Sequence, residues 1–256
     1  MIYRCILPQW AADENPSKRK VLEGKFSDRQ LQKIISEYYN VYYLPNVPSV
    51  YNPGTTVDGS HIDTFNYAFV DMDLKENAYP NAQAFIEVLH KFPLLPTKIV
   101  NSGNGVHAYW KVTDLDAMTY LKLQRRLCRH FNTDEAVSKI YQLMRVPGTV
   151  NTKSPEDLKL CEVVEENDVS YTAEQMDAEL PIISQEDEAY CKAHFDKTYA
   201  LETDITEIDD QLPVKFGVLL KNSAEANEIW KGNTDDRSKS DYRLAHIMFA
   251  SGFTRA

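Results

Sequence analysis

Two aspartates, Asp71 and Asp73, stand two residues apart in the apolar run FNYAFVDMDL. Side chains of a β-strand repeat every two residues, so both carboxylates share one face with Phe69, while Ala68, Val70 and Met72 take the other. Like charges a few ångströms apart repel unless a cation lies between them. Mg²⁺ and Mn²⁺ meet that need, because they favour carboxylate and water oxygens, commonly one or two protein carboxylates together with substrate phosphates. Two solvated aspartates at a strand end have the same spacing, so the rest of the chain must decide.

Two further stretches carry compatible chemistry. In VNSGNGVHAYW, Gly103 and Gly105 allow a tight turn whose N–H groups can approach phosphate, and His107 and Tyr109 alternate onto one face of the strand that follows. Beside a metal, His107 would donate a hydrogen bond to a triphosphate oxygen; a histidine bonded within the sheet is the structural alternative. In TDEAVSKIYQLMRVPGTVNTK, Asp134 precedes Arg145 by eleven residues, and residues 145–153 read as a turn with a cation near each end, Arg145 and Lys153. Such a turn suits phosphate or a nucleic-acid backbone. Singly, these residues also serve as caps or solvated charges, so their order is what informs.

Periodicity supplies the elements that must position these groups. Phe26 followed by Ser27, Gln30 and Leu31 predicts a helix opened by a capping box and a hydrophobic staple and running to about Tyr39. NVYYLPNVP reads as a strand, YNPGTTVDGS as loop, AQAFIEVLHKF and DAMTYLKLQRRLCRHF as helices, and KIVNSGNGVHAYWKV as two strands joined by a glycine turn. LKLCEVVEENDVSYTAEQMDAELP predicts a strand and a short helix. The acidic run from 186 to 213 reads as a linker, and residues 214–256 as helical, with Ser240 as a cap and Leu244, Ala245, Met248 and Phe249 as an apolar stripe ending at Gly252.

Composition sets outer bounds. With 43% hydrophobic and 26% charged residues, the 256-residue chain is ordinary for a globular protein. No apolar run approaches the roughly 18 residues of a membrane span, and the start is too polar for a secretory signal, so a cytoplasmic location is expected. Cys5, Cys128, Cys161 and Cys191 lie far apart without a CxxC pair, which points to free thiols. The net charge of −10 is unevenly spread: residues 98–153 carry nine basic and four acidic side chains, whereas 154–213 carry three and eighteen. That asymmetry permits a local polyanion site on an acidic protein.

VDMD, then PTKIVNSGNGVHAYW, then TDEAVSKIYQLMRVPGTVNTK resemble, in order and spacing, the three motifs of the archaeo-eukaryotic primase superfamily, in particular its phage- and plasmid-type primase-polymerases. The resemblance spans about residues 40–155. It implies an α+β fold, with a primase-polymerase catalytic core over 1–185 in which an RRM-like sheet sits beside an α/β unit, an acidic linker over 186–213 and a small all-helical domain over 214–256. It also implies a nucleotidyltransferase acting as DNA primase or DNA polymerase, with two Mg²⁺ or Mn²⁺ ions held by Asp71, Asp73 and Asp134, Glu135 being the neighbour that could replace Asp134. Ser102 and His107 would contact the nucleotide, and Arg145, Asn151 and Lys153 nucleotide or template; Gly103 and Gly105, read from their turn, would join them as nucleotide-binding residues. Single-stranded DNA template and NTP or dNTP are the implied partners, with no membrane.

Many relatives carry a zinc-binding insertion, for which the four scattered cysteines offer no module. NEIWKGNTDDRSKSDYRLAHIMFASGFT resembles the helical domain that follows the core in primase-helicase fusions, so a helicase domain or partner is expected C-terminal to this chain. The sequence itself has no GxxxxGK[ST] motif, and helicase activity is not expected of it. Two other classes use the same residues: a manganese-dependent glycosyltransferase with a DxD pair, which has no use for the cationic turn at 145–153, and a non-catalytic RRM-like nucleic-acid-binding module.

Overall fold

The computed structural model of the chain describes residues 1–52, 56–74, 78–199, 214–232 and 237–250. Its elements run β1 (Tyr3–Ile6), α1 (Gln9–Glu14), β2 (Val21–Gly24), α2 (Asp28–Ser36), β3 (Asn40–Tyr43), β4 (Phe65–Asp73), α3 (Ala82–Lys91), β5 (Lys98–Asn101), β6 (Gly105–Leu115) and α4 (Ala117–Phe131). Five short strands follow, β7 (Met144–Arg145), β8 (Val150–Asn151), β9 (Lys159–Leu160), β10 (Glu162–Glu166) and β11 (Tyr171–Thr172). Five helices follow among the described residues, α5 (Ala173–Glu179), α6 (Gln185–Tyr199), α7 (Val214–Asn222), α8 (Ala224–Trp230) and α9 (Arg237–Ala250).

Local chemistry sets the element ends. Ser27 Oγ accepts the Gln30 N–H while the Gln30 carboxamide accepts the Ser27 N–H, the expected capping box, and Phe26 and Leu31 both pack on the small N-terminal core. The helix stops at Ser36 and not near Tyr39, because Tyr38 turns into the left-handed region (φ 69°) and sends Tyr39 into that core. Asn81 and Asp116 cap α3 and α4 by accepting main-chain N–H groups of the first turn.

Two main sheets, beside the two-stranded pair β8-β9, carry the larger unit, Met1–Ala200. One is antiparallel with order β2-β1-β3-β7 and buries Cys5, Leu7, Ile34 and Val41 beneath α1 and α2. In the other, β6 pairs antiparallel with β5 on one side and β4 on the other, β10 extends the β5 side, and the far end of β6 pairs in parallel with β11. Since β4 and β5 both oppose β6, they run parallel to each other and are joined through α3, a split β-α-β unit as in RRM-like sheets. Trp110, Phe69, Phe85, Tyr120 and Phe131 fill the core under α3 and α4.

One boundary departs from expectation. The acidic stretch read as a linker from 186 is helical to Tyr199 and packs on α4, because Asp187, nearly buried, pairs with Arg125 and Arg129; the remainder, 200–213, lies outside the described residues. In the second unit, Leu201–Ala256, Phe216, Leu219 and Ala226 form a small core with Leu220, Leu244, Ile247 and Met248. Helix α9 begins at Arg237, so Ser240 lies inside it and is not its cap. Leu244, Ile247 and Met248, three and four residues apart, share the inward face and Ala245 is exposed; the side chain of Phe249, and Gly252, lie outside the described residues. No described helix is long and apolar enough to cross a membrane.

Candidate active site

Strand β4 lies at the edge of its sheet, with its outward main-chain groups met by two side chains and one main-chain N–H where a neighbouring strand would be. Asn46 Oδ1 accepts the Asn66 and Tyr67 N–H groups and its Nδ2 donates to the Tyr67 carbonyl. Gln124 of α4 does the same at Phe69, and the Asp134 N–H donates to the Asp71 carbonyl at 3.1 Å. These bonds hold the register that sets Asp71 opposite His107 and Asp73 opposite Gly105. Both carboxylates are half-buried and open onto one polar pocket.

His107 and Arg145 form the buried side of that pocket. His107 Nε2 lies 3.5 Å from Asp71 Oδ1 and its Nδ1 lies 3.1 Å from the Tyr109 hydroxyl, so the ring bridges the carboxylate and the buried phenol. Burial pushes the imidazole below its ordinary value; Asp71 opposes that and Arg145 adds to it. Arg145 Nη1 donates to Asn40 Oδ1 at 2.7 Å and Nη2 to the Tyr42 hydroxyl at 3.0 Å. Both partners are neutral, so the guanidinium keeps its charge for an anion entering the pocket. Asn40 Oδ1 also accepts the Thr152 N–H, tying the turn that carries Asn151 and Lys153 to β3.

Ser102, Gly105, Asn151 and Lys153 line the same pocket, as the sequence led us to expect. Gly103 does not. Its N–H donates to Asn101 Oδ1, the Ser102 N–H donates to the Gly105 carbonyl, and neither is left to cradle phosphate. The glycines answer to packing: a Cβ on Gly103, whose φ is +92°, would lie 2.7 Å from Lys159 Cβ, and one on Gly105 would meet the Met72 carbonyl oxygen at 1.9 Å.

Asp134 is near the pair but not among the residues lining the pocket. Its carboxylate accepts the Ala136 N–H at 2.7 Å and so caps the short 3-10 turn Glu135–Val137. Glu135 is excluded as a substitute, because its two oxygens pair with Arg125 and Arg129, both at 2.7 Å. Among the described residues no three His, Cys, Asp or Glu side chains gather closely enough to enclose an ion. The donor set nonetheless fits a hard divalent cation: two carboxylates on one strand face, open to a polar pocket whose cations can hold the phosphates that complete such a shell.

Sequence reasoning missed Asn40, Tyr42, Asn104 and Gln124. Tyr42 and Asn104 line the pocket, the Tyr42 ring also lying 4.9 Å from the Arg145 guanidinium carbon, and Lys159 donates to Asn104 Oδ1. Asn40, at the head of an aromatic strand that later pairs with β7, offered the one usable signal.

No family model and no curated protein matches the sequence. Among solved structures, the AEP domain of the primase-polymerase of cyanophage S-2L is similar, with a TM-score of 0.55 at 19% identity over 70% of this chain and 88% of that one. Two structures of the primase RepB′ align more loosely: one at TM-score 0.45 and 16% identity over 99% of this chain and 77% of that one, and one of the catalytic domain with initiator DNA at 0.43 and 12% over 78% and 90%. The chain has an archaeo-eukaryotic primase-type fold, as its three motifs implied.

Proposed function

We propose that this chain catalyses template-dependent nucleotidyl transfer, as a DNA primase, a DNA polymerase or both. The observation that carries the reading is the gathering of Asp71, Asp73, Ser102, His107, Arg145 and Lys153, drawn from three separate stretches of sequence, around one pocket. An edge of carboxylates thereby faces a wall of cationic side chains, an arrangement that would suit a metal-bound triphosphate.

In this reading the 3′-oxygen of a strand, or of a first nucleotide, attacks the α-phosphorus of the incoming triphosphate, the bond to the β-phosphate oxygen breaks, and pyrophosphate leaves. Arg145 and Lys153 hold the triphosphate, and Ser102 and Asn151 offer it neutral donors. His107, kept uncharged by burial, faces Asp71 through Nε2 and adds no second cation beside Arg145. Asp71 and Asp73, with Asp134 as the third carboxylate, would hold divalent ions, Mg²⁺ or Mn²⁺, which supply a lowered pKa for the attacking hydroxyl and neutralise charge on the triphosphate. Template DNA would lie along the pocket beside the turn at 145–153.

The test is an extension assay on a DNA template with Mg²⁺, Mn²⁺ or EDTA, with and without primer, and with rNTPs and dNTPs offered separately. Incorporation should need a divalent ion and vanish in the variant carrying Asp71→Ala and Asp73→Ala, whose melting temperature should stay near that of wild type because both side chains are half-exposed. Full incorporation by that variant would sink the proposal. Nucleic-acid binding that survives EDTA with no incorporation would favour a binding module, and transfer from a nucleotide-sugar a glycosyltransferase.

A further inference from the structure

The acidic stretch after the core does more than cover it. Glu135, the residue after Asp134, places Oε2 on Arg125 Nη1 and Oε1 on Arg129 Nη1, and those arginines lie one turn apart on α4. From the other side Asp187 of α6 places Oδ1 on Arg125 Nε at 2.7 Å and on Arg129 Nη2 at 3.2 Å, with Ser184 Oγ donating to its second oxygen. Two carboxylates and two guanidiniums thus close a balanced quartet, and Tyr190 of α6 lays its ring 4.4 Å from the Arg125 guanidinium carbon. One turn beyond Tyr190 on α6, His194 Nε2 accepts the Ile140 N–H. Residues 134–140 are therefore held at three points: on β4 by the Asp134 N–H, on α4 by Glu135, and on α6 by Ile140.

We propose that α6, acting through Asp187, is a positioning element for the turn that begins at Asp134, whose N–H fixes the Asp71 carbonyl and so the strand that carries the aspartate pair. Without Asp187, Arg125 and Arg129 lose the carboxylate that holds them from the α6 side, and the turn loses part of the geometry they impose through Glu135. The inference rests on the nucleotidyl-transfer reading. It makes Asp187 a residue that affects the rate while standing apart from the pocket, and it leaves Arg145, Ser102 and His107 untouched.

The experiment uses the full chain with Asp187→Asn, Asp187→Glu and, as a control elsewhere on α6, Lys192→Ala, whose side chain pairs with exposed Asp196. Hydrogen exchange is followed by mass spectrometry without nucleotide or metal, and kcat and nucleotide KM are measured separately. Asp187→Asn should speed exchange across residues 133–140 while leaving 65–73 protected, and should lower kcat about 10- to 100-fold at unchanged KM, as loss of an outer-shell orienting partner does. Asp187→Glu should restore part of both, and Lys192→Ala should match wild type. Unchanged exchange at 133–140 in Asp187→Asn would overturn the proposal, and so would loss of protection throughout the chain or an equal effect from Lys192→Ala. Because exchange needs no catalysis, its outcome is separate from that of the aspartate variant above, whose retained activity would instead remove the nucleotidyl-transfer reading.

Discussion

A Cβ on Gly105 would sit 1.9 Å from the Met72 carbonyl oxygen, which belongs to the backbone of the strand that carries Asp73. Gly105→Ala can be accommodated only by separating β4 from β6, so it should lower unfolding free energy by about 1–3 kcal/mol, as overpacking does, read as a shift of the urea midpoint. A variant as stable as wild type would mean that the two strands part freely there. Arg145 makes a different demand. Its planar fork meets Asn40 and Tyr42 and still faces the pocket, which a lysine ammonium cannot reproduce. Arg145→Lys should raise the nucleotide KM about tenfold, the equivalent of one hydrogen bond to a charged group, with a smaller change in kcat. An unchanged KM would reassign the arginine to holding β3 and β7 together.

Among the elements, β4 decides where the aspartates point, and α4 decides how β4 stands. The Gln124 carboxamide is buried and takes both main-chain groups of Phe69, so Gln124→Leu strands a donor and an acceptor and should destabilise the chain by about 2–4 kcal/mol in chemical denaturation. A loss under about 1 kcal/mol would show that water reaches that edge. Helix α6 should reveal itself through pH. Burial holds the His194 imidazole below its ordinary value, with Lys139 and Lys197 adding to the effect. The unfolded chain therefore takes a proton near pH 6.5 that the folded chain refuses; the stability this confers is complete above that pH and is lost as the pH falls through the folded value. His194→Gln keeps an acceptor for the Ile140 N–H but does not titrate, so its melting temperature should drop less than that of wild type between about pH 7.5 and about pH 5.5. Parallel curves would show that this histidine titrates normally. Period-2 and period-3.6 patterns made β4, α3, β6 and α4 legible in the sequence, together with the capping box at Ser27. Asn46 and Gln124 were not legible as edge partners, because their partners are main-chain atoms far away along the chain and leave no mark in residue type. Gly103 was misread for the same reason, since its neighbours Asn101 and Lys159 satisfy and crowd it through contacts that spacing does not encode.

At the scale of the whole molecule, the basic block at 98–153 followed by an acidic block at 154–213 was legible as a charge pattern, yet its main use is internal. Lys98, Lys122, Arg125, Arg126 and Arg129 each pair with a carboxylate of the acidic block, on Glu166, Glu188, Asp187 or Asp177. Five of the nine cations that suggested a polyanion site are thus already engaged on the far strand of the sheet, on α5 and on α6. Arg145 and Lys153 are the two that line the pocket. Since each phosphate neutralised on a single strand releases a fixed share of counterion, binding through two cations should give a shallow salt dependence, with log K against log salt falling at a slope of about −1.4. Lys153→Ala should reduce that slope by about half, measured by fluorescence anisotropy on a labelled single-stranded template. A slope steeper than about −4 would require several further phosphate contacts, and the lysines and arginines between residues 18 and 33 would then be the ones to substitute next.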